Sequence, residues 1–338
     1  MIARRLLDGL SDDGRVTVEF LPINPCLPRG FGWLKRIKYI RTVATSVVFV
    51  LSLLRAVPRT DVLHVFSASY YAYLIAALPP MLLGRVFGRP VLLNYHSGEA
   101  LDHLERWPLS RWSMSALTDL IVVPSDYLVG IFARFGIHAE AIVNFVDTDL
   151  YSYRERRHVH PRVFSNRNLE PMYNVACSIN AFSRIQKLHP KASLVIAGDG
   201  SERRLLEDLV AALGLSNVRF VGRISPLEMA ALYDASDIYV NASNIDNMPL
   251  SIIEAFSAGL PVVSTNAGGI PVVVSHERNG LLVACENDVA IADAVLRYID
   301  EPDFAFRIAA AARLECVDRY VWARVREEWI ARYERLAS

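Results

Sequence analysis

Short runs rich in Val, Ile and Leu alternate with longer amphipathic stretches through almost the whole chain, and this alternation constrains the fold more than any other feature. In the first half, strand patterns fall at residues 16–21, 62–66, 91–95, 120–123 and 141–145, with helix patterns at 34–54 and 127–135 between them. Residues 154–162 then turn polar and basic, with Arg154, Arg156, Arg157, His158 and His160, and read as a linker. Alternation resumes with a helix at 175–188, a strand at 193–197, a helix at 202–213 and a strand at 218–221. It continues with a helix at 226–235, a strand at 238–240, a helix at 250–258, a strand at 261–264 and closing helices from 288. Strands that alternate with helices form parallel sheets covered on both faces. A chain of 338 residues exceeds one core, so the expectation is an α/β protein of two Rossmann-like domains, residues 1–153 and 154–318, followed by a terminal helix at 319–338 that crosses back to the first domain.

Composition removes several classes of function. Lys+Arg and Asp+Glu balance at 36 each, so nothing in the net charge recommends a nucleic-acid binder. The four cysteines are far apart, without a Cys-x-x-Cys pair, which argues against a zinc knuckle, a redox motif or a disulfide framework. Reduced thiols fit a cytoplasmic protein. No metal constellation is read from the sequence, and no Gly-x-Gly-x-x-Gly follows a strand as an NAD site would require. Two uncharged runs bear on membranes. Residues 42–54 are too few to span a hydrocarbon core of about 30 Å, and residues 65–84 are interrupted by Pro79-Pro80.

In doubly wound sheets, ligands bind beyond the carboxyl ends of the strands. The turns at that rim in the second half contain Gly198-Asp199-Gly200, Gly222-Arg223, residues 241–247 and residues 265–269. Helix N-termini at the same rim offer free N–H groups and the positive dipole end to a phosphate. The sharpest segment is Asn241-Ala-Ser-Asn-Ile-Asp-Asn-Met-Pro-Leu-Ser-Ile-Ile-Glu-Ala-Phe-Ser-Ala-Gly-Leu-Pro-Val-Val263. Asp246 lies in a loop, and Glu254 follows eight positions later on a helix whose first turn suits Pro249. A carboxylate among Ile252, Ile253, Ala255 and Phe256 is costly unless it accepts hydrogen bonds, and vicinal sugar hydroxyls donate them in pairs.

This segment resembles the donor motif of glycosyltransferase family 4, retaining enzymes of the GT-B fold, in which two Rossmann-like domains face a cleft. The family's Glu-x7-Glu is represented by Asp246 and Glu254, followed by Ala255 and Gly259-Leu-Pro-Val-Val263. Val195-Ile-Ala-Gly-Asp-Gly200, Phe220-Val-Gly-Arg223, Asn266-Ala-Gly-Gly-Ile-Pro271 and Asn279-Gly-Leu-Leu-Val283 are similar to family segments in the same order. Leu92-Leu-Asn-Tyr-His-Ser-Gly98 resembles its strand-His-Gly element. The resemblance implies catalytic roles for His96, Asp246 and Glu254, with Asp246 at the donor sugar and Glu254 at the ribose diol. It implies donor contacts from Arg167, Gly198, Gly200, Arg223, Asn247, Met248, Leu250, Ser251, Gly268 and Gly269. One departure concerns the phosphate clamp: Arg167 is retained, but Met172 and Tyr173 stand where the family has Lys.

The function implied is transfer of a glycosyl group from a nucleotide-sugar to an acceptor hydroxyl, with no cofactor and no metal, in cell-envelope or extracellular polysaccharide or glycolipid synthesis. A nucleotide-sugar epimerase and a catalytically silent binding subunit of the same fold are the alternatives. The partners implied are a nucleotide-sugar donor, a lipid-linked or glycan acceptor and no nucleic acid. The aromatic and basic stretch Gly32-Trp-Leu-Lys-Arg-Ile-Lys-Tyr-Ile-Arg41 suits contact with the inner face of a membrane. Family members also open with a strand and a glycine-rich loop, whereas Ile2-Ala-Arg-Arg-Leu-Leu-Asp-Gly-Leu10 resembles the helix that follows them. The expectation is a first domain lacking its first strand, with an empty slot between strands 16–21 and 62–66.

Overall fold

The structure, a computed structural model, describes residues 2–25 and 38–338. The chain divides into two compact units, Met1–Ile142 with Arg326–Ser338, and Val143–Val325. The boundaries expected after residues 153 and 318 therefore fall at 142 and 325. The early boundary has a packing reason: Val146 and Tyr151 join the core of the second unit, and the Val146 N–H donates to the Tyr320 carbonyl at 2.8 Å.

The first unit holds a parallel sheet of β1 (Leu63–Ser67), β2 (Val91–Tyr95), β3 (Leu120–Val123) and β4 (Glu140–Ala141), in that spatial order. Strands β2 and β3 are buried along their whole length, as expected of strands covered on both faces. The strand expected at 141–145 is reduced to Glu140–Ala141, because Ile142 onward leaves the ladder for the second unit. Glu140 is fixed by Arg332 at 3.1 Å and Arg335 at 2.6 Å from the terminal helix Trp322–Ala337.

Residues 16–21 are not a strand: they run irregularly, with Val18 and Phe20 exposed and no ladder partner. Their alternation has no sheet face to bury, so propensity alone does not hold them extended against a neighbour. Among the described residues β1 is an edge strand, paired only with β2, so the expected slot between two strands at 16–21 and 62–66 is absent. The basic stretch at 32–41 lies outside the described residues up to position 37; its last four residues begin the helix Lys38–Ala56. The window Thr42–Arg59, which runs from that helix through the 3-10 turn Val57–Arg59, is long and apolar enough to cross a membrane by length and composition, longer than the thirteen-residue run read above.

The second unit holds a six-stranded parallel sheet: β5 (Arg162–Ser165), β6 (Ser193–Ala197), β7 (Val218–Gly222), β8 (Ile238–Asn241), β9 (Val262–Thr265) and β10 (Leu281–Val283). Their order is β10-β9-β8-β5-β6-β7, so the winding reverses between β5 and β8. Beyond the carboxyl ends at such a reversal the loops diverge and leave a crevice.

The run at 154–162 is no solvated linker. Arg156 is fully buried, donating to the Ser236, Ala258 and Tyr233 carbonyls, and burial pulls its guanidinium down to about 10. Buried Asp237 accepts from Arg162 at 2.7 Å and Arg154 at 3.1 Å. These cations clamp the amino ends of β5 and β8, opposite the crevice rim.

Candidate active site

The crevice is built from loops that leave β5, β6, β8 and β9. Strand β5 delivers Asn166 and Arg167, and β8 delivers the loop 242–249, which enters the helix Leu250–Ala258. Across the reversal, Arg167 Nη2 lies 2.6 Å from Asp246 Oδ2. The same carboxylate accepts the Asn247 N–H at 2.9 Å and the Ser243 hydroxyl at 3.4 Å. The Asp246 carbonyl receives the Gly269 N–H at 3.1 Å, which ties the β9 loop to the β8 loop.

Arg167 is held from a second side by the ring of Tyr173, 4.3 Å from its guanidinium carbon. Thus one of the two residues standing in place of the family's lysine supports the remaining cation by a cation–π contact. Burial pulls the Arg167 guanidinium down, but the Asp246 carboxylate and the nearby phenols outweigh it, so it stays above its ordinary value. Its Nε is buried and has no hydrogen-bond partner, a donor available to a bound anion.

Glu254 sits one turn into the helix Leu250–Ala258, nearly all of which is buried. Its Oε2 accepts from the Tyr233 hydroxyl at 3.2 Å, and that hydroxyl also lies 2.9 Å from the Ser251 carbonyl. Asn166 links Tyr233 to Tyr239, with bonds of 2.8 Å to each phenol. Ser251 reaches Arg167 at 3.4 Å. The residues assigned to the donor from two separate segments therefore share one hydrogen-bonded network. Tyr233, Asn166 and Tyr239 were not expected there; the only sequence signal was Tyr233 at the end of the segment Pro226-Leu-Glu-Met-Ala-Ala-Leu-Tyr233.

The glycines act by what they leave out. A Cβ on Gly198, whose φ is +128°, would strike the Arg167 carbonyl; one on Gly200 would strike Leu169, and one on Gly269 the Asn247 carbonyl. Close backbone approach is what brings these loops together. Gly268 is exposed with φ +50°. Met248 is buried, and its carbonyl accepts from Asn144 at 3.0 Å; Leu250 opens the helix. Arg223 stands exposed just past β7.

His96 lies in the first unit, one residue past β2, with its N–H bonded to the Ser67 carbonyl at 3.2 Å. Burial pushes its imidazole down to about 4, so it is neutral near pH 7, and its Nε2 has no partner. Among the described residues no group of three His, Cys, Asp or Glu side chains could hold a metal ion. The Asp-x-Asp spacing Asp147-Thr148-Asp149 closes a turn, in which Asp147 accepts the Asp149 N–H at 3.1 Å.

Residues 155–315 match the family described as Glycosyl transferases group 1, and residues 12–150 match Glycosyltransferase Family 4. The chain is 30% identical over 288 residues to glycogen synthase of Mycobacterium tuberculosis (strain CDC 1551 / Oshkosh), covering 79% of this chain and 67% of that one. It is 27% identical over 226 residues to a GDP-mannose-dependent alpha-(1-6)-phosphatidylinositol monomannoside mannosyltransferase of the same organism, covering 61% and 59%. Among solved structures, sucrose-phosphate synthase (tll1590) from Thermosynechococcus elongatus superposes with a TM-score of 0.79 at 19% identity, covering 99% of this chain and 92% of that one. Anabaena Alr3699/HepE in complex with UDP-glucose gives 0.74 at 18% identity, covering 96% and 87%. Two parallel-sheet units with these relatives define a sugar-transferring enzyme that draws on a nucleotide-sugar. The chain belongs to glycosyltransferase family 4, with the GT-B fold.

Proposed function

We propose that the crevice of the second unit binds the nucleotide-sugar and that the glycosyl group passes, with retention at the anomeric carbon, to a hydroxyl of a lipid-linked or glycan acceptor of the cell envelope. The observation that carries this reading is the Arg167–Asp246 pair beside the start of the helix Leu250–Ala258, with Glu254 one turn further in. A diphosphate would take the unpartnered Arg167 Nε and the amides at the helix start, where the dipole favours negative charge. Asp246 would read the donor sugar hydroxyls, and Glu254, oriented by Tyr233, would read the ribose diol. The departing diphosphate would be stabilised by Arg167 and helix amides without a metal ion.

A lipid-linked acceptor is supported by two relatives. One is the mannosyltransferase named for phosphatidylinositol monomannoside; the other, of Campylobacter jejuni, is named for an undecaprenol-linked acceptor and is 24% identical over 244 residues. Such acceptors would place the enzyme at the cytoplasmic face of a membrane. The test is incubation of the full chain with UDP- and GDP-sugars and a membrane lipid extract, with product stereochemistry read by NMR. Transfer with retention supports the reading; donor turnover that inverts the anomeric centre, or no turnover with any donor, refutes it.

A further inference from the structure

At the carboxyl ends of β1 and β2 the first unit carries aromatic and acidic side chains that neither the donor crevice nor the core accounts for. The chain leaves β1 through Ser69 and turns at Tyr70, whose φ is +57°. A bulky aromatic residue in the left-handed region is strained, and it persists only where its surroundings hold it. Here the Tyr70 hydroxyl donates to Asp102 Oδ2 at 2.5 Å. Burial, and then the bond to Asp102, push the phenol above its ordinary value, so it stays protonated and donates. Asp102 lies in the first turn of the helix Ala100–Arg106, which starts at the rim beyond β2. The π-helical turn Tyr73–Ala77 follows Tyr70 almost at once, and such turns are frequent at functional positions.

Behind Tyr70 lies a connected network of buried polar side chains. His103 is fully buried, with the Tyr95 hydroxyl 3.0 Å from its Nδ1 and the Ser110 hydroxyl 3.1 Å from its Nε2. The Tyr95 hydroxyl also lies 2.8 Å from Ser69 Oγ, which pins the residue before the turn. The Tyr73 hydroxyl lies 2.7 Å from Ser113 Oγ, which donates to the Ser110 carbonyl at 3.0 Å. Apolar side chains of the same shape would fill a core equally well, whereas a satisfied polar network fixes geometry. What this one fixes is a wall. The rings of Tyr70 and Trp107 pack against His103, with centroids at 5.2 and 6.0 Å, and lie 6.2 Å from each other. Both rings are half-buried, and the Asp102 side chain is 42% exposed between Tyr70 and Arg106, the latter 2.8 Å from Oδ1.

The chemistry of this wall selects its ligand. Each oxygen of Asp102 accepts one bond within the protein, and a carboxylate has about four acceptor positions, so two remain for hydroxyls. Aromatic rings held rigidly beside a carboxylate suit a pyranose, whose C–H face packs on a ring while its hydroxyls donate. They do not suit a phosphate. The helix Ala100–Arg106 and the residue before it carry Glu99, Asp102 and Glu105 against one cation, Arg106, and burial keeps the His103 imidazole down at about 4, hence neutral. That excess of negative charge repels an anion. We infer that Tyr70, Asp102 and Trp107 form the subsite for a neutral sugar ring of the acceptor, so that the group glycosylated is a pyranose hydroxyl and not a phosphate. The inference rests on the reading of the chain as a transferase to a lipid-linked or glycan acceptor and narrows that acceptor to a sugar-headed one.

The test uses the full chain with octyl glycosides of glucose, galactose and mannose, and with undecaprenyl phosphate. Glycoside binding is read without any donor by saturation-transfer NMR, and transfer is then measured with UDP- and GDP-sugars. The expected result is binding of at least one glycoside, weakened about tenfold by Asp102→Asn and by Trp107→Ala, with a smaller loss for Tyr70→Phe. Acceptor KM should rise by the same factors while donor KM stays within about twofold. Should Trp107→Ala fail to fold, Asp102→Asn, checked by its melting temperature, decides. No binding of any glycoside overturns the proposal, as do variants that bind as well as the wild type. A parallel rise of donor and acceptor KM marks a merely structural role and also overturns it, as does transfer to undecaprenyl phosphate with none to a glycoside. Glycoside binding that the variants lose, with no transfer from any donor, upholds the subsite and sinks only the functional reading. Transfer to glycosides that the variants leave unchanged sinks the subsite alone.

Discussion

Arg167 and Asp246 form a 2.6 Å ion pair across the point where the six-stranded sheet reverses its winding. The two residues are 79 positions apart (246 − 167), and they meet because β5 and β8 are neighbours in the ladder. The cation is thus held in place at the crevice by a carboxylate before any ligand arrives.

Removing one partner of a mostly buried charge pair leaves the other uncompensated, which costs about 2–5 kcal/mol. Arg167→Ala should lower kcat/KM by about two orders of magnitude and lower Tm, since Asp246 loses its partner. Arg167→Lys should recover only part of that loss, because a point charge cannot reproduce the planar fork or stack equally on Tyr173. Steady-state kinetics on both variants give the comparison.

Glu254→Gln replaces a charged acceptor with an amide and should raise donor KM by about ten- to a hundredfold, a loss of about 1.5–3 kcal/mol. Tyr233→Phe removes the hydroxyl that orients Glu254 and should raise donor KM by a smaller factor, about fivefold, for about 1 kcal/mol. Donor KM unchanged by both substitutions would dissociate this network from the nucleotide.

Gly269→Ala would force the new methyl into the Asn247 carbonyl and part the β9 loop from Asp246. The expected outcome is a stability loss of about 1–3 kcal/mol, with activity falling more than stability alone explains. Urea unfolding and activity on the same preparation separate the two effects.

The local pattern 241–263 was legible because loop, helix and strand follow one another in sequence, so Asp246, Glu254 and the intervening turn lie in one readable segment. The partners of that segment were harder to read. Tyr233 and Asn166 come from other elements and reach Glu254 only through the sheet order, which no local period encodes. Strand β5 was missed because it has four residues and begins on Arg162, directly after a basic run that looks solvated. Its arginines are in fact bound to a buried aspartate and to carbonyls. Residues 16–21 show the converse: alternation that suits a strand, in a segment that gains no ladder.

Acid should weaken the first unit. Burial holds His96 and His103 down at about 4 and His64 at about 3, against 6.5 when unfolded. A depressed imidazole leaves stability untouched above the unfolded value; as pH falls from 6.5 toward 4, the unfolded state takes up protons that the folded state refuses. The loss between pH 6.5 and 5 is at most about 2 kcal/mol per histidine. Calorimetry across that range should show a falling Tm, and a flat profile would contradict the burial of these rings.

Chelation should leave transfer intact. Saturating EDTA is expected to change the rate by less than about twofold, because Arg167 and the helix amides supply the positive charge at the diphosphate. Loss of activity restored by Mn2+ would contradict the metal-free reading.

The central claim is that the nucleotide-sugar sits in the crevice defined by Arg167, Asp246 and Glu254. Calorimetric titration of UDP and GDP into the full chain, and into Arg167→Ala and Glu254→Gln, tests it most directly. The account predicts saturable binding of at least one nucleotide, with affinity reduced at least about tenfold in each variant. Binding of equal strength in all three proteins would place the nucleotide elsewhere and contradict the account.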